Sequence, residues 1–280
     1  MVDGKIAKPS LKVKRGMQVE IELTAPPPME ARPEDIPLDI IYEDNRIAVV
    51  DKSAGMVVHP AAGNYEGTLV NALIHHFGET IGKQYDPVRP GLVHRLDKDT
   101  SGLLVIAKDE RGLAFLQREL KERRIKRHYK AICWGNLEPD RGTIDLPIGR
   151  SDRDRKKMVV FPRIGRDAIT HYEVLERSGL ADLVLLKLET GRTHQIRVHL
   201  SHFGHPVTGD PTYGGRSKYI KRLHGMNRQV ATRLLSILSR QALHAFRLEF
   251  PHPDDGRIVE FESELPEDIF EALEYLRSEK

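Results

Sequence analysis

The chain has 280 residues, of which 39% are hydrophobic and 30% charged, and its formal net charge is +3. These values indicate one or two folded domains and exclude wholesale disorder. No apolar run reaches the length of a membrane span, and the first residues lack the apolar core of a signal peptide. The single cysteine, Cys133, excludes an internal disulfide framework and predicts a cytoplasmic location.

The first 38 residues divide into two parts. Residues 1–24 predict two short β segments around a turn, because polarity alternates from residue 18 to residue 23. This piece resembles the closing part of an S4 RNA-binding domain without its helical first half, so we expect a truncated S4-like segment. Residues 25–38 are rich in proline and predict an extended linker. The main domain should then span residues 39–280.

The main domain mixes strands and helices without regular alternation. Its predicted elements are a hairpin over 40–51, a helix over 67–77 with Thr68 as N-cap, strands near 103–107, 128–134, 168–176 and 182–190, and helices over 109–123 and from Pro266. This order predicts an α+β fold with a mostly antiparallel central sheet flanked by helices and loops.

Charge is unevenly distributed along the chain. Residues 118–130 carry seven Lys or Arg against two Glu, and residues 214–240 carry seven Lys or Arg and no acid. Residues 254–280 instead carry ten acids against three bases. Local basic surfaces attract polyanions, so a nucleic acid is the expected partner. The alternative is that these stretches are solvated helix faces.

The densest polar group lies directly before the apolar run 103–107. It contains two carboxylates, Asp97 and Asp99, together with basic and hydroxyl side chains. Because a buried strand is a rigid support, it suits a reactive residue. From these residues alone, a reactive loop and a strand-entry turn in which either carboxylate caps backbone amides are comparable interpretations.

A tyrosine follows the first basic stretch. Tyr129 has the same strand parity as Ala131 and Cys133, so its ring should face the core or line a cleft. An ordinary role in sheet packing would explain the same pattern.

Four histidines, His194, His199, His202 and His205, raise the question of a metal site. No acidic or cysteine ligand lies among them, whereas a metal needs a closed ligand set. We therefore expect no metal and assign these side chains to loop ordering or phosphate contact. The chain also lacks a P-loop and a dinucleotide fingerprint.

Several segments together resemble the RluA-type RNA pseudouridine synthases. The similar motifs occupy residues 51–60, 94–102, 129–131, 189–200, 204–215 and 240–253, and the resemblance covers residues 40–277. It is strongest to the RluD branch, which modifies large-subunit ribosomal RNA. The resemblance implies the pseudouridine synthase fold, an isomerase without a cofactor, and RNA as the partner.

The matching positions imply roles for individual residues. Asp97 would be the catalytic residue, Arg197 would pair with it, and Tyr129 would lie beside the target base. Burial neutralises an isolated carboxylate, whereas an adjacent arginine keeps it ionised, so the pairing has a physical reason. Substrate contacts are expected from Arg95, His94, Arg192, His194, Gln195 and Leu243.

The implied reaction breaks the N-glycosidic bond of a uridine, turns the uracil in place and forms a carbon–carbon bond. Asp97 would attack C1′ or remove the 2′ proton, and the sequence leaves both open. Tyr129 would stack on the base and assist loss of the C5 proton. Arg95 would fill the space of the extruded base. Phosphates would lie along 118–130 and 214–240.

Three alternatives stay open at this point. They are the same activity on transfer RNA, a non-catalytic RNA-binding factor in ribosome assembly, and a metal-dependent hydrolase that uses the histidines. The trio Asp97, Tyr129 and Arg197 argues against a pure binder, which needs no such group. We expect the protein to be a monomer.

Overall fold

The computed structural model describes residues 1–8, 10–21, 31–61, 63–78, 81 and 89–279. The chain forms two compact units, Met1–Glu30 and Ala31–Lys280. Residues 22–24 of the predicted β segment and 25–30 of the predicted linker lie outside the described residues.

The first unit holds short β contacts. Val2 forms antiparallel bridges with Lys5 and with Val19, and Gln18 N donates to Asp3 Oδ1 at 2.8 Å. The described residues therefore show isolated bridges where two β segments were predicted. The likeness to an S4 domain stays a prediction.

The second unit contains the regular elements of the described residues. Its strands are β1 (Asp39–Glu43), β2 (Ile47–Lys52), β3 (Ser101–Ala107), β4 (Lys126–Trp134), β5 (Arg141–Asp145), β6 (Ile148–Arg150), β7 (Met158–Val160), β8 (Ile169–Arg177), β9 (Ala181–Leu188), β10 (Leu243–Pro251) and β11 (Ile258–Glu262). Its helices are α1 (Leu69–Phe77), α2 (Glu110–Lys121), α3 (Gln195–His202), α4 (Ser217–Ile220), α5 (Gly225–Ile237) and α6 (Glu267–Ser278). None of these helices has both the length and the apolar character needed to cross a membrane.

One large sheet organises this unit. Its strand order is β1-β2-β3-β10-β4-β9-β8-β5, with β11 paired to β10, while β6 and β7 form a separate hairpin. The only parallel pairing among these strands joins β3 to β10. The predicted α+β class with a mostly antiparallel sheet is therefore confirmed.

A glycine makes the single parallel pairing possible. Gly102 opposes Ala245 in the register of β3 and β10 and has a φ of +118°. A Cβ at this position would overlap the Ala245 backbone, so only glycine allows this close approach. The pairing places the start of β10 beside the loop that precedes β3.

The two faces of the sheet are covered by different helices. Tyr129, Ala131 and Cys133 of β4 lie in the same core cluster as side chains of α1 and α3. Ile132 and Trp134 of β4 instead pack with α5 and α6. Most of the basic stretch 214–240 thus belongs to a layer on the sheet face opposite Tyr129.

Candidate active site

Hydrogen bonds to carbonyl groups hold the loop before β3. Lys52 Nζ donates to Lys98 O at 3.0 Å, and Arg240 Nη1 donates to Asp99 O at 3.0 Å. Lys52 is buried, and burial lowers its pKa to about 7. These contacts fix the backbone directly after Asp97 and leave its carboxylate to other partners.

The loop also has an internal turn. Thr100 N donates to Asp97 O at 3.1 Å, as the prediction of a turn after Asp97 requires. Ser101 is the first residue of β3, and its hydroxyl contacts His244 Nδ1 at 3.0 Å.

Arg197 joins two carboxylates. Its Nη1 donates to Asp97 Oδ2 at 2.8 Å, and its Nε and Nη2 donate to Asp210 at 2.7 and 3.1 Å. The Asp210 side chain is fully buried, whereas that of Asp97 is 18% exposed. Burial alone would lower the pKa of Arg197, but the two carboxylates outweigh it and raise that pKa. The guanidinium therefore stays charged.

Asp210 is a site residue that sequence reasoning missed. Its Oδ1 also accepts from the backbone N–H groups of Thr212 and Tyr213, at 2.8 and 3.0 Å. The two-point contact with Asp210 orients the planar guanidinium, so that Nη1 faces Asp97. The signal in the sequence was a lone acid between Gly209 and Pro211, within the segment 204–215 that resembles a family motif.

A cleft that is open to solvent lies at Asp97. The lining residues are Arg95, Leu96, Asp97, Thr100, Arg127, Tyr129, Leu188, Gly191, Arg192, Thr193, His194, Gln195, Ile196, Arg197 and Leu243. The structure thus brings every predicted site residue except His94 to one cleft.

Tyr129 and Leu243 supply an apolar part of the cleft. Both are buried, and they project from the neighbouring strands β4 and β10. Burial raises the pKa of Tyr129, so its phenol stays protonated at neutral pH.

His194 is held close to the ion pair. It has a left-handed backbone, with φ of 57°, and its Nδ1 lies 2.7 Å from Tyr213 Oη. Its Nε2 is 3.9 Å from Asp97 Oδ1. Burial lowers the pKa of His194, so the ring is neutral at pH 7.

Gln195 lines the cleft, but its amide already has partners in the protein. Its Oε1 accepts from Thr190 Oγ1 and Arg192 N, and its Nε2 donates to Ile169 O and Thr170 Oγ1. The side chain therefore ties the loop before α3 to β8.

A second pocket, here called the basic pocket, adjoins the cleft. It is lined by His59, Arg89, Leu92, Val93, His94, Arg95, Gln117, Leu120, Lys121, Arg123, Arg127, Glu189, Thr190, Gly191 and Arg192. His94 belongs here, and its Nε2 accepts from Val105 N at 3.3 Å. Burial, reinforced by Arg127, lowers the pKa of His94 to about 3, so the ring is neutral.

The two basic stretches differ in their relation to the cleft. Residues 118–130 contribute to the cleft and to the basic pocket, whereas no residue of 214–240 lines either one. The prediction of phosphates along both stretches therefore has geometric support here only for 118–130.

The four histidines have separate surroundings. His199 contacts Thr170 Oγ1 and Leu146 O at 2.9 and 3.0 Å, and His205 Nδ1 contacts Trp134 O at 3.0 Å. Within the described residues, no three His, Cys, Asp or Glu side chains are grouped to hold a metal ion.

The amino-acid sequence is similar to those of known RNA pseudouridine synthases. The model of the RNA pseudouridylate synthase family matches residues 46–202. An uncharacterized RNA pseudouridine synthase of Chlorobaculum parvum is 47% identical over 283 residues, covering 99% of this chain and 86% of the relative. Ribosomal large subunit pseudouridine synthase D of Pseudomonas aeruginosa is 45% identical over 279 residues, covering 100% and 84%.

Solved structures agree with these relatives. Human RNA Pseudouridylate Synthase Domain Containing 4 matches with a TM-score of 0.65 at 27% identity, over 85% of this chain and 93% of the human one. Human RNA Pseudouridylate Synthase Domain Containing 1 matches with a TM-score of 0.59 at 27% identity, over 91% and 98%.

The fold and the cleft define an isomerase that makes pseudouridine in RNA. The chain belongs to the RNA pseudouridylate synthase family. The predicted family, fold and enzyme class are confirmed, and this activity is favoured over a non-catalytic assembly factor.

Proposed function

We propose that this chain isomerises uridines of large-subunit ribosomal RNA in the cytoplasm, with Asp97 as its catalytic carboxylate. The relatives named ribosomal large subunit pseudouridine synthase D support this choice of RNA. The observation that carries the proposal is the Asp97–Arg197 ion pair at 2.8 Å in a cleft that Tyr129 and Leu243 also line.

The reaction rearranges one nucleoside and needs no second reactant. The C1′–N1 bond breaks, the C1′–C5 bond forms, C5 loses a proton and N1 gains one. Asp97 acts on the ribose, by attack at C1′ or by removal of the 2′ proton. Because Oδ2 accepts the hydrogen bond from Arg197, Oδ1 is the oxygen that we expect to face the sugar.

The remaining residues bind and orient the uridine. Tyr129 and Leu243 pack against the base. A buried phenol with a raised pKa can take the C5 proton only if it passes its own proton onward, so Tyr129 is not a phenolate base at neutral pH. Arg95 is exposed at the cleft and reaches the space that the extruded base leaves in the RNA stack.

Tritium release tests the catalytic assignment. Asp97→Asn should abolish release from a large-subunit rRNA transcript labelled at uracil C5, since the amide cannot act as nucleophile or base. Asp99→Asn makes the same chemical change two residues away and should retain release. Arg197→Met should bind the transcript without turnover. Undiminished release by Asp97→Asn would remove Asp97 from the mechanism.

A parallel assay tests the choice of RNA. Labelled transcripts of large-subunit ribosomal RNA and of transfer RNA are compared at equal uridine concentration. Turnover on the ribosomal transcript is expected. Turnover on transfer RNA alone would overturn the ribosomal assignment and leave the role of Asp97 intact.

A further inference from the structure

Arg127 is a buried cation without a counter-ion in the described residues. Arg127 is only 7% exposed, and its Nε is buried without a hydrogen-bond partner. The two other buried arginines, Arg197 and Arg240, each have a two-point contact with a carboxylate. A buried guanidinium without an anion is strongly unfavourable, so Arg127 is suited to bind an anion.

Arg127 lies where the cleft meets the basic pocket. It precedes Tyr129 by two residues on β4, so both side chains point to the same face of the sheet. Arg127, Arg95, Arg192 and Gly191 line both cavities. A ligand that spans both cavities can therefore contact Arg127.

Gly191 leaves room for the Arg127 guanidinium. A Cβ at Gly191 would lie 2.5 Å from Nη1 of Arg127, which is too close for any real contact. The absence of a side chain lets the guanidinium lie against the backbone of the loop before α3. The loop and the cation thus form one wall of the passage.

The surroundings of the passage favour an anion. Among the described residues that line the basic pocket, Glu189 is the only carboxylate, and it is already paired with Arg123 and His171. His94 is neutral there, so it does not compete for a negative charge.

We propose that Arg127 binds a phosphodiester adjoining the target uridine and so holds the RNA backbone between the cleft and the basic pocket. This inference rests on the proposed function, because the uridine in the cleft is what brings a phosphate to the passage. A planar guanidinium binds two phosphate oxygens at once, which the point charge of lysine does not reproduce.

Phosphate-ethylation interference locates the contact on the RNA whichever uridine is the target. A large-subunit rRNA transcript is ethylated at about one phosphate per molecule, and the bound fraction is mapped for wild type and Arg127→Met. Arg127→Met should lose interference at one linkage and bind the transcript about 10-fold more weakly. The slope of log K against log salt concentration should be smaller in magnitude by about 0.7–0.9. Arg123→Met, which removes an exposed cation of the basic pocket, should retain interference at that linkage.

Other results would contradict the proposed role of Arg127. A role for Arg127 in packing alone predicts an unchanged interference pattern, and that pattern would overturn the proposal. Should Arg127→Met fail to fold, Gly191→Ala repeats the test, because its Cβ displaces Nη1 and the same linkage should drop out. Wild-type tritium release separates the two claims. Turnover with an unchanged pattern refutes the phosphate site alone, and a lost linkage without wild-type turnover refutes the proposed function alone.

Discussion

Replacing Arg197 by methionine tests whether two carboxylates depend on one guanidinium. The change leaves the buried Asp210 with only the amides of Thr212 and Tyr213, and it leaves Asp97 without its cation. Removing one partner of a buried ion pair costs about 3–5 kcal/mol of stability. At about 2 °C per kcal/mol for a large domain, the melting temperature should fall by about 6–10 °C.

A second substitution separates charge from packing. Asp210→Asn in the Arg197→Met background removes the unpaired buried charge and keeps an oxygen that can accept from the backbone. The double variant should therefore be more stable than Arg197→Met by about 1–3 kcal/mol. Urea denaturation followed by circular dichroism measures this difference, and both variants should lack tritium release. A double variant no more stable than the single one would refute the claim that Arg197 balances a buried charge.

Three further changes have defined outcomes. Burial lowers the pKa of His244 to about 4, so the unfolded chain binds the proton first and stability is lost as pH falls from 6.5 to about 4. In urea titrations, His244→Gln should reduce this pH-dependent decrease in the free energy of unfolding by about 2–4 kcal/mol. Gly102→Ala should cost about 2–4 kcal/mol by thermal denaturation, whereas Gly55→Ala, also at positive φ but in open space, should cost about 1 kcal/mol. Arg240→Met should lower kcat about 10–100-fold and leave the Kd for RNA unchanged, because Arg240 links Asp268 to the Asp99 carbonyl. Asp268→Asn keeps the contact between Arg240 and that carbonyl, so it should lower kcat less.

Local signals were sufficient for some elements of the fold. Thr68 caps α1, and its hydroxyl accepts from Asn71 N as the N-cap pattern requires. The buried strand β3 was visible as an apolar run. By contrast, β10 comes from the end of the chain and enters the sheet between β3 and β4. No local pattern encodes that insertion, because it depends on contacts between distant segments.

The helices around the site were harder to predict for a different reason. α3 begins directly after His194, which has a left-handed backbone and no side-chain cap. α5 lies in the basic stretch 214–240, yet Ala231 and Leu234 belong to the same core cluster as Trp134. In both helices the apolar stripe is narrow and is interrupted by polar residues, so the periodicity is weak.

Within the site, the sequence identified residues with a distinctive context and missed those without one. Asp97 and Arg197 stand in dense motifs. Arg127 is one of seven cations in a short stretch, and nothing but its strand parity with Tyr129 separates it from its exposed neighbours. Asp210 follows a glycine and precedes a proline, a context that equally indicates an ordinary turn.

The proposed role of Asp97 places two opposing physical demands on the loop before β3. The carboxylate must be held in one position, which favours burial, and it must stay ionised, which burial opposes. The structure divides these tasks between separate cations. Lys52 and Arg240 bind the carbonyl groups of the residues at positions 98 and 99, so they fix the backbone without using the carboxylate. Of these three side chains, Arg197 contacts the carboxylate, and because Asp210 orients it from the other side, one oxygen of Asp97 remains for the ribose in the proposed reaction.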